Sequence, residues 1–89
     1  MADERSVHPA AVSYDRHVGE FSIGFARALL DALEPVDAWR RAVEVLDHGA
    51  GTGLSTRLIR ERLPRARVTA LEPSAALSSA LPDEPWCIT

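Results

Sequence analysis

"VLDHGAGTGLSTRLI", residues 45–59, places glycines at 49, 51 and 53 directly after a short apolar run. Val43-Glu44-Val45-Leu46 is β-branched and apolar enough for a short strand ending at Asp47. Beyond the glycines, Leu54, Leu58, Ile59 and Leu63 recur at helical spacing, with Arg57, Arg60, Glu61 and Arg62 turned outward. A helix is therefore expected from Gly53 to Leu63, stopped by Pro64. Glycine lets the backbone take positive φ, turn sharply and bring a ligand onto the peptide groups. At this junction of strand end and helix start, unpaired N–H groups and the helix dipole point outward. Ligands of open α/β sheets bind in that crevice.

Working outward, Val68-Thr69-Ala70-Leu71 reads as a second strand closed by Glu72-Pro73. A helix follows from Ser74, its N-cap, to Leu81, with Leu77, Ala80 and Leu81 on one face. Pro82 and Pro85 break it, and Trp86-Cys87-Ile88-Thr89 begins a third strand. Upstream, Phe21, Phe25, Ala28, Leu29, Ala32 and Leu33 step by three and four, so they are expected to form the inward face of a helix running from Glu20 to Pro35. Residues 36–42 are expected to form a polar connection or a short helical turn carrying Trp39. Residues 1–13 are charged, contain Pro9 and lack periodicity, which is the pattern of a flexible N-terminal arm. Alternating strand and helix builds a parallel sheet with right-handed crossovers, so the fold class is α/β.

Glu72 lies about twenty residues beyond Gly53, at the end of the next strand, where a carboxylate can accept hydrogen bonds from the vicinal hydroxyls of a ribose. A dinucleotide fingerprint would need a third glycine where Leu54 stands, and no Gly-Lys-Ser/Thr of a phosphate loop follows. The run Asp47-His48-Gly49-Ala50-Gly51-Thr52-Gly53 instead resembles motif I of the class I S-adenosylmethionine-dependent methyltransferases. "VTALEPS", residues 68–74, is similar to the segment carrying that family's ribose-binding acid, and "YDRHVGEFS", residues 14–22, to the lead-in of many small-molecule members.

The resemblance implies an enzyme that transfers a methyl group from S-adenosyl-L-methionine to a small-molecule acceptor. It implies cofactor binding by Asp47, Gly49, Ala50, Gly51, Gly53, Glu72 and Pro73. By the same resemblance the glycines would lie against the methionine portion and Asp47 would brace the loop and reach toward the ammonium. Glu72 would take the ribose, Pro73 would lie near the adenine, and Tyr14 would close over the site. His48 departs from the aliphatic residue usual at its position. The family's full fold is a seven-stranded, mostly parallel Rossmann-like sheet, of which this chain supplies two strands and the start of a third. Residues 14–89 are therefore expected to be the N-terminal part of such a domain, truncated, and completed by a missing C-terminal part or a protein partner. The other readings are a non-catalytic remnant or interaction module pairing with another chain, and an NAD-binding fragment.

Composition narrows the rest. At 89 residues the chain makes one small domain or part of one, with a thin stability margin. A net charge of −3 argues against nucleic-acid or membrane-surface partners held by bulk electrostatics. The N-terminus lacks an apolar signal core, no apolar run approaches a membrane span, and the single Cys87 can form no intrachain disulfide, so a cytoplasmic location is expected. His8, His17 and His48 show no ligand spacing, so no metal is expected. Arg57 to Arg67 reads as a solvated helix face, Tyr14 and Trp39 as packing residues, and Cys87 as an incidental thiol. No catalytic set is assigned.

Overall fold

A computed structural model describes residues 7–89. Its scaffold is a three-stranded, wholly parallel sheet in the order β1-β2-β3, formed by β1 (Glu44–His48), β2 (Arg67–Leu71) and β3 (Cys87–Ile88). The helices are α1 (Pro9–Tyr14), α2 (Glu20–Leu33), α3 (Asp37–Arg40), α4 (Leu54–Arg62) and α5 (Ala75–Ser78). A π-helical turn, Asp15–Gly19, joins α1 to α2. The α/β class expected from the alternation is thus present in small form.

Sheet register explains how the core is shared. Val45 stands beside Val68, and Asp47 beside Ala70, so the second, fourth and matching residues of β1 and β2 turn to one face. There Val68 packs with Leu58 and Ile59 of α4 and Leu30 of α2, with Ile23, Ala26, Leu33, Trp39, Val45 and Trp86 partly buried around them. A second cluster joins Ala50, Ala70 and Leu81 next to the glycine loop. The alternate residues, Glu44, Leu46 and His48 on β1 with Arg67 and Leu71 on β2, are exposed. Parallel sheets ordinarily bury both faces; this one is covered on one.

Most expected elements fall where the sequence puts them, with several corrections. Residues 9–13 belong to α1, because Pro9 sits at the first helical position and the His8 ring accepts from Ala10 N–H, a start signal that lack of periodicity hides. Residues 1–6 of the expected arm lie outside the described residues. The first strand begins at Glu44 and runs one residue past the expected end at Asp47, since His48 also pairs with β2. The third correction concerns α2. The stripe expected inward is outward: Phe21 is 82% exposed and Phe25 73%, with Ala28, Leu29 and Ala32 also exposed. Ile23, Ala26 and Leu30 meet the core instead, and of the expected stripe Leu33 joins them. Both stripes have helical spacing, so periodicity alone does not choose between them; the fit against α4 does.

Arg60 and Arg62 were expected to face solvent. Arg60 lies over the Trp86 ring at 5.1 Å, while Arg62 pairs with Asp31 at 2.8 Å and Glu34 at 3.7 Å, tying α4 to α2. Such exposed ion pairs contribute about 0–1 kcal/mol, against about 1.5–3 kcal/mol for burying one leucine side chain. Leu30 therefore anchors α2 more strongly than the ion pairs do. The last helix is shorter than the expected span to Leu81: α5 ends at Ser78 and Leu81 reaches the core from the loop beyond it. Leu30→Ala should lower unfolding free energy by about 2–5 kcal/mol, whereas Ala28→Ser should change it by no more than about 0.5 kcal/mol. Urea denaturation of the two variants reads the difference, and equal losses would refute this assignment of the buried face.

Candidate functional site

Between β1 and α4 the chain must rise from the sheet into the helix above it within five residues. Gly49, Gly51 and Gly53 do this with φ of +73°, +60° and +93°, values that side chains rarely tolerate. The three positions differ in what surrounds them. A Cβ on Gly53 would come within 3.0 Å of Pro82 Cδ and 3.1 Å of Leu81 Cδ2, so this glycine serves close packing as well as the turn. A Cβ on Gly51 would meet the Tyr14 ring at 3.8–4.0 Å. Nothing lies within 4 Å of the corresponding point on Gly49, which leaves its backbone open to a ligand.

The neighbouring strand holds the loop. The Leu71 carbonyl accepts from Gly49 N–H at 2.8 Å and from Ala50 N–H at 2.9 Å. Glu72 continues the clamp: Oε1 accepts from Gly51 N–H at 2.8 Å, and Oε2 from Ser74 N–H at 2.9 Å. From below, Asp47 Oδ2 accepts the hydroxyls of Ser55 at 3.0 Å and Thr56 at 2.6 Å, joining the strand end to the first turn of α4. Thr56 is wholly buried, so this bond satisfies a hydroxyl that would otherwise be stranded.

Two clefts open on either side of the loop. The larger, about 470 Å³, is lined by Asp47, His48, Gly49, Ala50 and Thr52 together with Tyr14 and the α2 residues Phe21, Phe25 and Leu29. The smaller, about 230 Å³, is lined by Leu71, Glu72, Ser78, Leu81 and Thr89. Of the residues expected in a cofactor site, Asp47, Gly49 and Ala50 thus share one cleft and Glu72 lines the other. Gly51 stands between them, its N–H on Glu72 and Tyr14 beside it. Gly53 is buried and Pro73 is exposed next to Glu72; neither lines these two clefts.

Sequence reasoning missed the contacts that fasten the lead-in to the loop. The Thr52 hydroxyl donates to Asp15 Oδ1 in the π turn. Arg57, read as part of a solvated face, donates to the carbonyls of Thr52 at 3.2 Å and Ala80 at 3.0 Å and so ties the loop to the end of α5. No spacing rule links Asp15 to Thr52 across 37 positions; only the fold brings them together. Among the described residues no cluster of His, Cys, Asp and Glu is placed to hold a metal ion, and no helix is long and apolar enough to cross a membrane.

Comparison with known proteins adds no family: no protein-family model matches the chain, and no curated protein is found as a significant relative. Asp47→Ala should cost about 1–3 kcal/mol, the penalty for leaving the buried Thr56 hydroxyl without an acceptor. Chemical denaturation checks it, and a cost near zero would mean that Asp47 does not brace the loop.

Proposed function

We propose that the chain binds S-adenosyl-L-methionine across its glycine loop and serves methyl transfer to a small-molecule acceptor, as a Rossmann-like domain of the class I methyltransferase type. One observation carries the reading: a left-handed glycine turn at the carboxyl end of a parallel strand, held by a carboxylate that ends the next strand. The residues suit an elongated ligand with a charged end and a ribose. Both hydroxyls that reach Asp47 go to Oδ2, leaving Oδ1 to accept from a cofactor ammonium. Each Glu72 oxygen accepts one N–H, and an ionised carboxylate has about four acceptor sites, so two remain for vicinal hydroxyls. The open backbone at Gly49 gives the ligand a surface without side chains.

The cofactor supplies an electrophilic methyl group on a sulfonium, and the protein's work is to bind, orient and exclude water. In this reading Asp47 and Glu72 fix the two ends of the ligand, and the glycines let it approach the backbone. Tyr14 shields the loop from solvent on the side of the larger cleft. A proton acceptor is required only where the acceptor atom loses a proton during attack. Leu54 favours this ligand over NAD: it stands where a dinucleotide site has its third glycine, and its Cδ1 comes within 2.9 Å of a Cβ built on the buried Gly19.

Calorimetric titration of the 89-residue chain with S-adenosylhomocysteine tests the proposal. Saturable binding is expected, weakened by about tenfold or more in Glu72→Ala and absent with NAD. No binding by a chain that circular dichroism shows to be folded would overturn it.

A further inference from the structure

At the amino ends of the strands, opposite the glycine loop, the chain gathers positive charge. Six of its ten arginines, at 40, 41, 60, 62, 65 and 67, line two adjoining clefts there, although the whole chain carries a net charge of −3. One cleft, about 370 Å³, lies between the lead into β1 and the connection from α4 to β2. Arg40, Arg41, Arg62 and Arg65 line it, and among the described residues no acid does. The other, about 510 Å³, is bordered by Arg60, Arg65, Arg67 and Trp86, with Glu44 as its one acid among the described residues. Arg65 thus faces both clefts. The five residues of β1, about 17 Å of strand, separate this cluster from the glycine loop. Residues 40–43 and 62–66 are internal connections, so the cluster does not depend on the open edges of the sheet.

We propose that the four-arginine cleft binds the phosphate group of a small molecule, held chiefly by Arg41 and Arg65. Its walls are fixed. Arg67 N–H donates to the Val43 carbonyl at 2.8 Å and Ala66 N–H to the Leu63 carbonyl at 3.0 Å, while the Arg60 side chain donates to the Ala66 carbonyl at 2.8 Å. Its donors are largely unused. The Arg65 and Arg67 side chains have no hydrogen-bond or ion-pair partner among the described residues. Arg40 and Arg41 share Asp37, the second at 3.9 Å, and Arg62 meets Asp31 and Glu34. Each guanidinium carries five N–H donors, so these pairs leave most of them free. Like charges lining one concavity raise its potential and draw an anion into it. A phosphate suits several converging guanidiniums better than a carboxylate, because its additional oxygens accept from more than one planar fork. Asp31, Glu34 and Asp37 confine the positive field to the cleft, which favours a small ligand over the long anionic track of a nucleic acid. The Trp86 cleft, reached past Arg65, offers room for an organic portion.

The phosphate cleft stands independently of the cofactor reading, and its first probe, pyrophosphate, has no ribose for Glu72 to hold. Calorimetric titration of the full chain at about 0.15 M salt, where loose surface attraction is screened, should show saturable binding at one site. Arg41→Gln and Arg65→Gln should each weaken it by about tenfold. Arg27→Gln removes the same charge from an exposed position on α2 and should change it by less than about twofold. All three side chains are exposed, so circular dichroism should stay unchanged. ADP then distinguishes the sources of the phosphate. Binding tighter than that of pyrophosphate, with the same loss in Arg65→Gln, assigns a phosphate ester; binding no tighter assigns a free diphosphate. Absence of saturable pyrophosphate binding overturns the proposal, as does binding indifferent to Arg41→Gln and Arg65→Gln or weakened equally by Arg27→Gln.

Discussion

A chain leaving a parallel strand must turn out of the sheet and start a helix above it, and the rest of this molecule is arranged around how that turn is made. Three left-handed glycines make the turn, but glycine also widens the unfolded ensemble, so the loop must be held from outside. The holding groups come from every direction. Leu71 and Glu72 clamp it from β2, Asp47 joins it to α4, Asp15 reaches it from the lead-in, and Arg57 ties it to the end of α5. A turn fixed in this way presents one stretch of bare backbone, at Gly49, on an otherwise rigid frame.

The same clamp accounts for the choice of residue at 72. A neutral or shorter side chain could end a strand there, yet only a carboxylate accepts two backbone N–H groups at once and retains acceptor sites for a ligand. In the proposed function, Glu72 would hold the loop and the ligand with one group through different lone pairs. Asp47 repeats the arrangement, with one oxygen taking both hydroxyls from α4.

Much of this was legible in the sequence because it depends on local rules. Apolar β-branched runs gave the strands, prolines marked helix ends, and the glycine spacing located the loop between Asp47 and α4. What was hidden depends on partners distant in the chain. The α2 helix carries two apolar stripes, and nothing within residues 20–33 says that Leu30 rather than Phe25 finds the core. The reach of Asp15 to Thr52, and of Arg57 to Ala80, follows from tertiary placement. Glu72 was found by its position, whereas its bond to Gly51 N–H required the register of β1 on β2. The short α1 was missed because its start is signalled by a proline and a histidine cap, with no periodic face to announce it.

The π turn at Asp15–Gly19 has a geometric consequence for the whole N-terminal segment. A π turn holds one residue more than an α turn, and one residue corresponds to about 100° of rotation around an α-helix. Helices α1 and α2 are therefore one continuous rod with an angular offset between its halves. The offset lets the first half aim Tyr14 and Asp15 at the glycine loop while the second half turns Ile23 and Leu30 onto α4. A uniform α-helix of the same sequence could satisfy one of these orientations but not both. The lead-in works as a phase shifter, and its single additional residue per turn couples the packing of the core to the closure of the loop.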